Sequence, residues 1–521
     1  MVSRDNASNN KLRGGYYTPL NLCNYISKWI SSYDDIETVL EPSSGHGAFL
    51  SVLSQKYDVT GVEFLEEEYN YLKNEYKDFN IVNEDFTKYY LLNQKSFDAI
   101  IGNPPYIRYH YMNKKTQENC EIIHNNLNIK FSKLSNLWTT FMISCIDFLK
   151  PGGKLGMVIP TELISSLSIL ELRKYLYDKC HKILLINSKE IFFEDAQQNT
   201  LIILLEKKSN NEQSSNISIM NYEGYEFLNE DPRDLFDSDI YIKNKFYDKW
   251  IYYSLSENIL NILEKIKYRD FISFKNQKIQ VGITSGATDY FFVNKETVIE
   301  FDLDPFVHFA INKSANCKGI LLNEDIQSKN IHNNKQSFIV DFRDNYNRKY
   351  VSYGEENNYN EPYKCKIRKP WYVLKSFYYS PIIIPKRFHN YPRLIRNDIN
   401  AYVSDSFYRM ETNLDVNTLI YSSFNSLTAL LCELEGRNYA GGVLELTPSE
   451  WKNIYIPNYK PNKDEILELH NSFMKESNLD NILKEQDKKI LKDYIGLNNI
   501  EISIIQDNLN KLKNIRQKVR I

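Results

Sequence analysis

Phe97-Asp98-Ala99-Ile100-Ile101-Gly102-Asn103-Pro104-Pro105-Tyr106 is the stretch that decides the fold. Phe97 to Ile101 is a short, largely apolar run, the pattern of a strand buried in a parallel sheet. Two prolines stop it, because neither can donate to a ladder and each restricts the residue before it. The chain is thereby held rigid at the carboxyl end of a strand, where open α/β sheets place their ligands. Asn103 offers an amide oxygen there, Pro104 a carbonyl that no helix claims, and Tyr106 a flat aromatic face. Two acceptors and one π-face suit a planar group with an exocyclic amine. A proline-stopped strand with a structural tyrosine is the plainer alternative, and the flanking segments decide between the two.

Upstream, Gly14-Gly15-Tyr16-Tyr17-Thr18-Pro19 leads into an amphipathic run from Leu20 to Ile30, with Thr18 and Pro19 placed as a helix start. Glu37 to Leu40 reads as a first strand, followed by the turn Glu41-Pro42-Ser43-Ser44-Gly45-His46-Gly47. A strand, a glycine turn and a helix form the first half of a nucleotide-binding unit. The spacing is neither that of a dinucleotide fingerprint nor that of a P-loop. His46, between two glycines, is expected to be exposed. A second strand, Asp58 to Glu63, ends in an acid about twenty positions after the turn, where a carboxylate would hold a ribose hydroxyl pair. A third, Ile81 to Phe86, places Asp85 and Phe86 side by side at its tip.

Downstream, residues 107–135 are polar and read as irregular. Leu137 to Leu149 has helical spacing, broken by Pro151-Gly152-Gly153. Lys154 to Ile159 is a fifth strand, Ile169 to Cys180 a helix, Lys182 to Ile186 a sixth strand, and Asn199 to Leu205 a seventh. These alternating elements predict a doubly wound, seven-stranded α/β (Rossmann-like) domain over 1–225. The polar stretch from Lys207 to Asn216 reads as a loop or linker. A connecting strand and helix are expected over 226–268, with the helix at about 247–267. A mixed, β-containing domain follows over 269–460, with few clear helices, and a helical segment over 461–521. Between 364 and 409, ten lysines and arginines stand against Asp398 and Asp405, interleaved with Trp371, Tyr372, Phe377, Phe388 and Tyr391. That composition suits a surface meeting phosphates and bases.

A net charge of -3 over 521 residues is not that of a protein that coats nucleic acid, so such a site has to be a local patch. Seven dispersed cysteines without a Cys-x-x-Cys pair, and eight scattered histidines, argue against a disulfide framework and a zinc site. No apolar run approaches ~18 residues. The opening MVSRDNASNN is polar. No membrane span or signal peptide is therefore expected, and the compartment expected is the cytoplasm.

In this order, the motifs resemble those of the gamma group of S-adenosylmethionine-dependent DNA adenine-N6 methyltransferases, near the TaqI-like and Eco57I-like enzymes. The resemblance rests on Tyr17-Thr18-Pro19, Glu41 to Gly47, Glu63, Asp85-Phe86, Asn103 to Tyr106, the helix from Leu137 with Lys150 to Gly153, and the turn after Phe193. It extends to Gly282 to Phe292, Ile382 to Arg387 and Gly441 to Leu446 in what would be a target-recognition domain. It implies S-adenosylmethionine as cofactor, with Glu63 on the ribose, Asp85 on the adenine amine, and Phe64 and Phe86 flanking the ring. Thr18, Glu41 and Ser43 would surround its methionine end, and Tyr17, Gly45, Asn103 and Pro105 would also bind it. Asn103, Pro104 and Tyr106 would hold the flipped target adenine, and Phe193 would pack against it. Some members carry a lysine just after that phenylalanine; this chain has Ala196 or a neighbour there.

Lys386, Arg387, Tyr391, Arg393 and Arg396 are the candidates for contact with double-stranded DNA. The partners expected are DNA and, in a restriction-modification pair, a separate cognate endonuclease; a monomer is expected. With about fifteen residues before Tyr17 and no strand-borne acid pair in 461–521, a fused nuclease is not expected. A bifunctional restriction-modification protein, an RNA or protein N-methyltransferase, and an inactive DNA-binding module are the alternatives.

Overall fold

β4 (Phe97–Gly102) lies at the middle of a nine-stranded sheet in the computed structural model, which describes residues 18–133, 135–188, 200–439, 442–475 and 478–517. The other strands are β1 (Thr38–Glu41), β2 (Asp58–Glu63), β3 (Asn80–Asn83), β5 (Leu149–Pro160), β6 (Cys180–Ser188), β7 (Thr200–Lys207), β8 (Asn216–Tyr222) and β9 (Ile242–Lys243). Their order is β3-β2-β1-β4-β5-β7-β6-β8-β9. β1 to β5 run parallel, and β7 runs antiparallel to both β5 and β6.

Alternation along β4 feeds two cores. Ala99 and Ile101 pack with Leu22, Ile26 and Trp29 of helix α1 (Leu20–Ser31). Ile100 packs on the other face with Trp138 and Met142 of a helix at Leu137–Phe148. Each face needs a helix because a strand buried on both sides leaves no water-facing surface. All seven cysteines are buried thiols.

Seven strands are expected from the sequence, and the sheet has nine. The polar stretch after Lys207, expected to be a loop or linker, is the loop between β7 and β8, and the two extra strands lie beyond it, β8 pairing with β6. β8 buries only Ile217, Ser218 and Ile219, too short a signal to stand out. β9 then pairs with β8 and carries the sheet to Lys243. Residues 107–135 are not wholly irregular, since Lys114–Asn126 is a helix whose capping Asn113 accepts from the Thr116 N–H. The helix expected at about 247–267 is a 3-10 turn, Trp250–Ser254, followed by a helix at Glu257–Ile266.

Two compact units divide between Ser256 and Glu257. The second carries small sheets, one of them five-stranded, in which Lys278–Val281 pairs with Phe407–Glu411 and that strand with Ile382–Pro385. It holds more helix than composition suggests, including Glu324–His332, Arg348–Glu356 and Ser426–Glu435. Its helix Asn499–Gln517 is locked by Arg516, whose guanidinium meets the Glu433 carboxylate with 0% and 3% of the two side chains exposed. Arg516 also donates to the backbone carbonyls of His389 and Gly442. Among the described residues no helix is long and apolar enough to cross a membrane.

Candidate active site

The carboxyl ends of β1, β2 and β4 bring four sequence-expected segments together. At the tip of β4, the Asn103 side chain is held at both ends: Nδ2 donates to Thr18 Oγ1 at 3.2 Å, and the Tyr106 hydroxyl lies 2.6 Å from Oδ1. The same hydroxyl lies 3.0 Å from the Val158 carbonyl of β5. It has one proton, so it serves one acceptor at a time. Ser43 Oγ donates to the Asn103 carbonyl at 3.0 Å, tying the glycine turn to this loop. Among the described residues, no donor is bonded to the Pro104 carbonyl.

Thr18 is not the helix cap that its position suggests. Pro19 occupies that place without a side-chain bond, and the Thr18 hydroxyl faces Asn103 instead.

The glycine turn closes on a carboxylate. Gly45 and Gly47 have φ of +51° and +82°, the left-handed region that glycine enters without steric cost. The Gly45 N–H donates to Glu63 Oε2 at 2.8 Å, and the Leu65 N–H donates to Oε1 at 2.7 Å. Each oxygen keeps a second lone pair for a ligand hydroxyl. Burial holds the Glu63 carboxyl above its ordinary range in spite of these two bonds. Phe64 is 60% exposed and offers an open ring beside it.

Glu41 is only 1% exposed, and Oε2 has no partner among the described residues. Its carboxyl is raised well above the usual range, first by burial and further by the neighbouring Glu63 charge, with the Ser44 hydroxyl opposing. An orphaned carboxylate oxygen beside a second acid is a poor structural feature and a good seat for a cation.

Asp85 and Phe86 sit differently from expectation. β3 ends at Asn83, and Asp85 caps the helix Phe86–Leu92, accepting from the Thr87 N–H at 2.8 Å. Thr116, on the helix missed in the sequence, donates to its other oxygen. Phe86 is 3% exposed and packs on Phe141, so it is a core residue and not an open face. His46 is exposed, but it stacks on Tyr71 and meets Glu68 at 2.9 Å. Tyr17 and Phe193 lie outside the described residues.

In the second unit, the expected DNA strip is corrected in two places. Tyr391 is buried and its hydroxyl donates to Asp480. Arg393 is turned inward, donating to the Cys317 carbonyl, because the loop that carries it packs over the core. Arg396 stays partly exposed and makes a two-pronged bond to Asp398. Lys386 and Arg387 both reach Glu445, at 3.6 and 2.9 Å, with the Arg387 side chain still 63% exposed.

Two family models match the chain. The model described as Eco57I restriction-modification methylase covers residues 29–192, and that described as Type II methyltransferase M.Eco57I, C-terminal domain, covers 247–491. The chain is 25% identical to the Type II methyltransferase M.AccI of Acinetobacter calcoaceticus, over 92% of this chain and 93% of that protein. It is 28% identical to the Type II methyltransferase M.HincII of Haemophilus influenzae over 34% of each. It is also 28% identical to the Type II restriction enzyme and methyltransferase RM.Eco57I of Escherichia coli, over 22% of this chain and 11% of that one. Among solved structures, the Type IIL restriction-modification enzyme MmeI in complex with DNA superposes with a TM-score of 0.50 at 12% identity, covering 95% of this chain and 75% of that chain. That likeness is one of fold.

Proposed function

The chain belongs to the Eco57I family of restriction-modification methylases and is a site-specific DNA adenine-N6 methyltransferase that uses S-adenosylmethionine, and we propose that Asn103, Pro104 and Tyr106 carry the transfer. The observation behind this assignment is the Asn103 amide, clamped by Thr18 and Tyr106 at a strand tip beside the Glu41–Glu63 turn.

The residues present fit the cofactor. The orphaned Glu41 oxygen would take its ammonium, Glu63 its ribose hydroxyls, Phe64 one face of its adenine, and Asp85 the amine. Bound S-adenosylmethionine supplies a methyl group on a positively charged sulfur.

Adenine in a duplex hides its amine, so the base has to rotate out at a cost of a few kcal/mol. Stacking on Tyr106 offsets part of this, since base–aromatic stacking is worth ~1–3 kcal/mol. Asn103 Oδ1 and the Pro104 carbonyl then accept the two N6 hydrogens, which draws N6 toward tetrahedral geometry and frees its lone pair from the ring. The positive charge N6 acquires is stabilised by both acceptors and by the tyrosine face. Asn103 is neutral, so the chain contributes orientation and dipoles and no strong base. The N6 proton is acidic once the nitrogen is cationic.

The two roles of Tyr106 are separable. Tyr106→Phe keeps the ring and removes the hydroxyl near Asn103 and Val158, so kcat is expected to fall by about fivefold to tenfold, the worth of one hydrogen bond. Tyr106→Ala also removes the stacking face and is expected to lose about 5- to 150-fold more. Equal rates in the two variants would remove stacking from the mechanism.

DNA and a restriction-modification system are the setting of the family. We assign cleavage to a separate endonuclease, on the ground that M.AccI, named as a methyltransferase, matches over 93% of its length. Incubation with S-adenosylmethionine and unmodified genomic DNA, followed by sequencing that detects modified bases, tests the whole proposal. N6-methyladenine in one short motif with uncut DNA is the expected result. Unmodified DNA with normal cofactor binding would overturn it.

A further inference from the structure

Resting on the DNA methyltransferase assignment, we propose that a cavity within the second unit is where the target duplex is read, with Arg409 on a guanine edge and Lys375 on a backbone phosphate. The cavity, of about 580 Å³, is lined by residues of 280–284, 368–378 and Arg409. Its charged lining is Arg368, Lys375 and Arg409, and the Glu411 carboxylate, outside the lining, pairs with Arg409. In a chain of net charge -3, such a concentration of positive charge suits an anionic ligand.

Arg409 is built in place. It sits opposite Gln280 in the pairing of Lys278–Val281 with Phe407–Glu411. Nη1 donates to Glu411 at 2.7 Å, Nη2 donates to Gln280 at 2.6 Å, and the Tyr378 ring lies 5.0 Å from the guanidinium. Glu411 is itself held by Lys278 at 2.8 Å. Only 11% of the Arg409 side chain is exposed, yet it lines the cavity. Two of its five N–H groups are used by these partners, which leaves a planar fork with fixed orientation, the geometry that reads guanine O6 and N7.

The rim has the complementary features. Lys375 is exposed and its long side chain can reach a phosphate, and Tyr378 is 57% exposed and can lie against a base or sugar. Arg368 shapes the wall, donating to the Ser285 carbonyl and so fixing the turn of Gly282 to Phe292 that stands out in the sequence. These residues are better placed for DNA than Tyr391 and Arg393, whose polar groups are spent inside the unit.

The test compares full-length wild type, Arg409→Gln, Arg409→Lys and Lys375→Ala. Readouts are methylation motif by modified-base sequencing, DNA affinity across salt, thermal midpoint and cofactor affinity. Arg409→Gln is expected to admit other bases at one motif position, with discrimination there falling about 5- to 150-fold. Arg409→Lys is expected to lose discrimination at the same position, because an ammonium lacks the fork. Lys375→Ala is expected to weaken specific and non-specific duplexes alike and to lower the salt slope by about one. All are expected to bind cofactor as wild type does. Unchanged motif, affinity and salt slope in variants that melt normally would overturn the proposal. So would loss confined to cofactor binding. A wild type that leaves DNA unmodified would instead overturn the methyltransferase assignment, and this proposal with it.

Discussion

Asn103→Ala is expected to lower single-turnover methylation by about a thousandfold, the upper range for loss of one preorganised hydrogen-bonding group at a reacting centre. The substitution removes one of the two acceptors for the N6 hydrogens. It also frees the Thr18 and Tyr106 hydroxyls from the group they hold, so the ring that stacks the base loses an anchor. Cofactor affinity should change far less, because Glu41, Glu63 and the glycine turn are untouched. Asn103→Asp, which keeps an acceptor oxygen at the same place, should retain more activity than alanine. Rapid-quench methylation with saturating cofactor, beside a binding titration, measures both quantities. Turnover by the alanine variant at the wild-type rate would remove Asn103 from the chemistry.

Glu41→Gln should separate stability from function in opposite directions. The buried Glu41 carboxyl has a folded-state value raised above its ordinary one. The folded state therefore holds this proton more tightly than the unfolded state does. Stability is full below the ordinary carboxylate value and falls as pH rises from there through the raised value. Glutamine has no proton to lose, so the variant should melt at higher temperature than wild type, with a gap that widens across that window. A cofactor ammonium favours the carboxylate, so the same substitution should weaken S-adenosylmethionine about 10- to 150-fold, the cost of a charged hydrogen bond. Wild-type affinity should strengthen as pH rises through the window, with proton release on binding. Melting curves over pH, and calorimetry in buffers of different ionisation heat, check each sign. A variant that binds cofactor as wild type does would show that Glu41 is a buried structural acid.

Much of the catalytic unit was legible because its signals are local. A strand buried on both faces must be apolar, and two prolines must end it, so β4 and its tip could be read from ten residues. β2, with Glu63 at its end, was equally plain. What escaped depends on distant partners. Thr18 looks like a cap until Asn103, 85 residues later, is folded against it. Asp85 looks like a strand tip until Thr116 arrives from a helix in a polar segment. That helix does carry a signal, an asparagine cap followed by buried Thr116, Cys120 and Ile123 at helical spacing. In the second unit, charge along the chain did not reveal which cations face inward. Arg393 and Arg409 lie in the same basic interval, but one is spent on a carbonyl and the other lines a cavity. Short strands from separated segments decide that, and no window of sequence contains it.

The buried Arg516–Glu433 lock also has a consequence in time. The first unit is complete by Ser256, whereas the second cannot close its ion pair until residue 516 has been synthesised. At 5–20 residues per second, that interval is roughly 13–50 s. During it a nascent chain can carry a finished first unit while Glu433 waits, without its guanidinium, in a half-built second one. The hazard of synthesis therefore falls on the second unit, and chaperones should be found on chains arrested between 433 and 516 more than on chains arrested at 256.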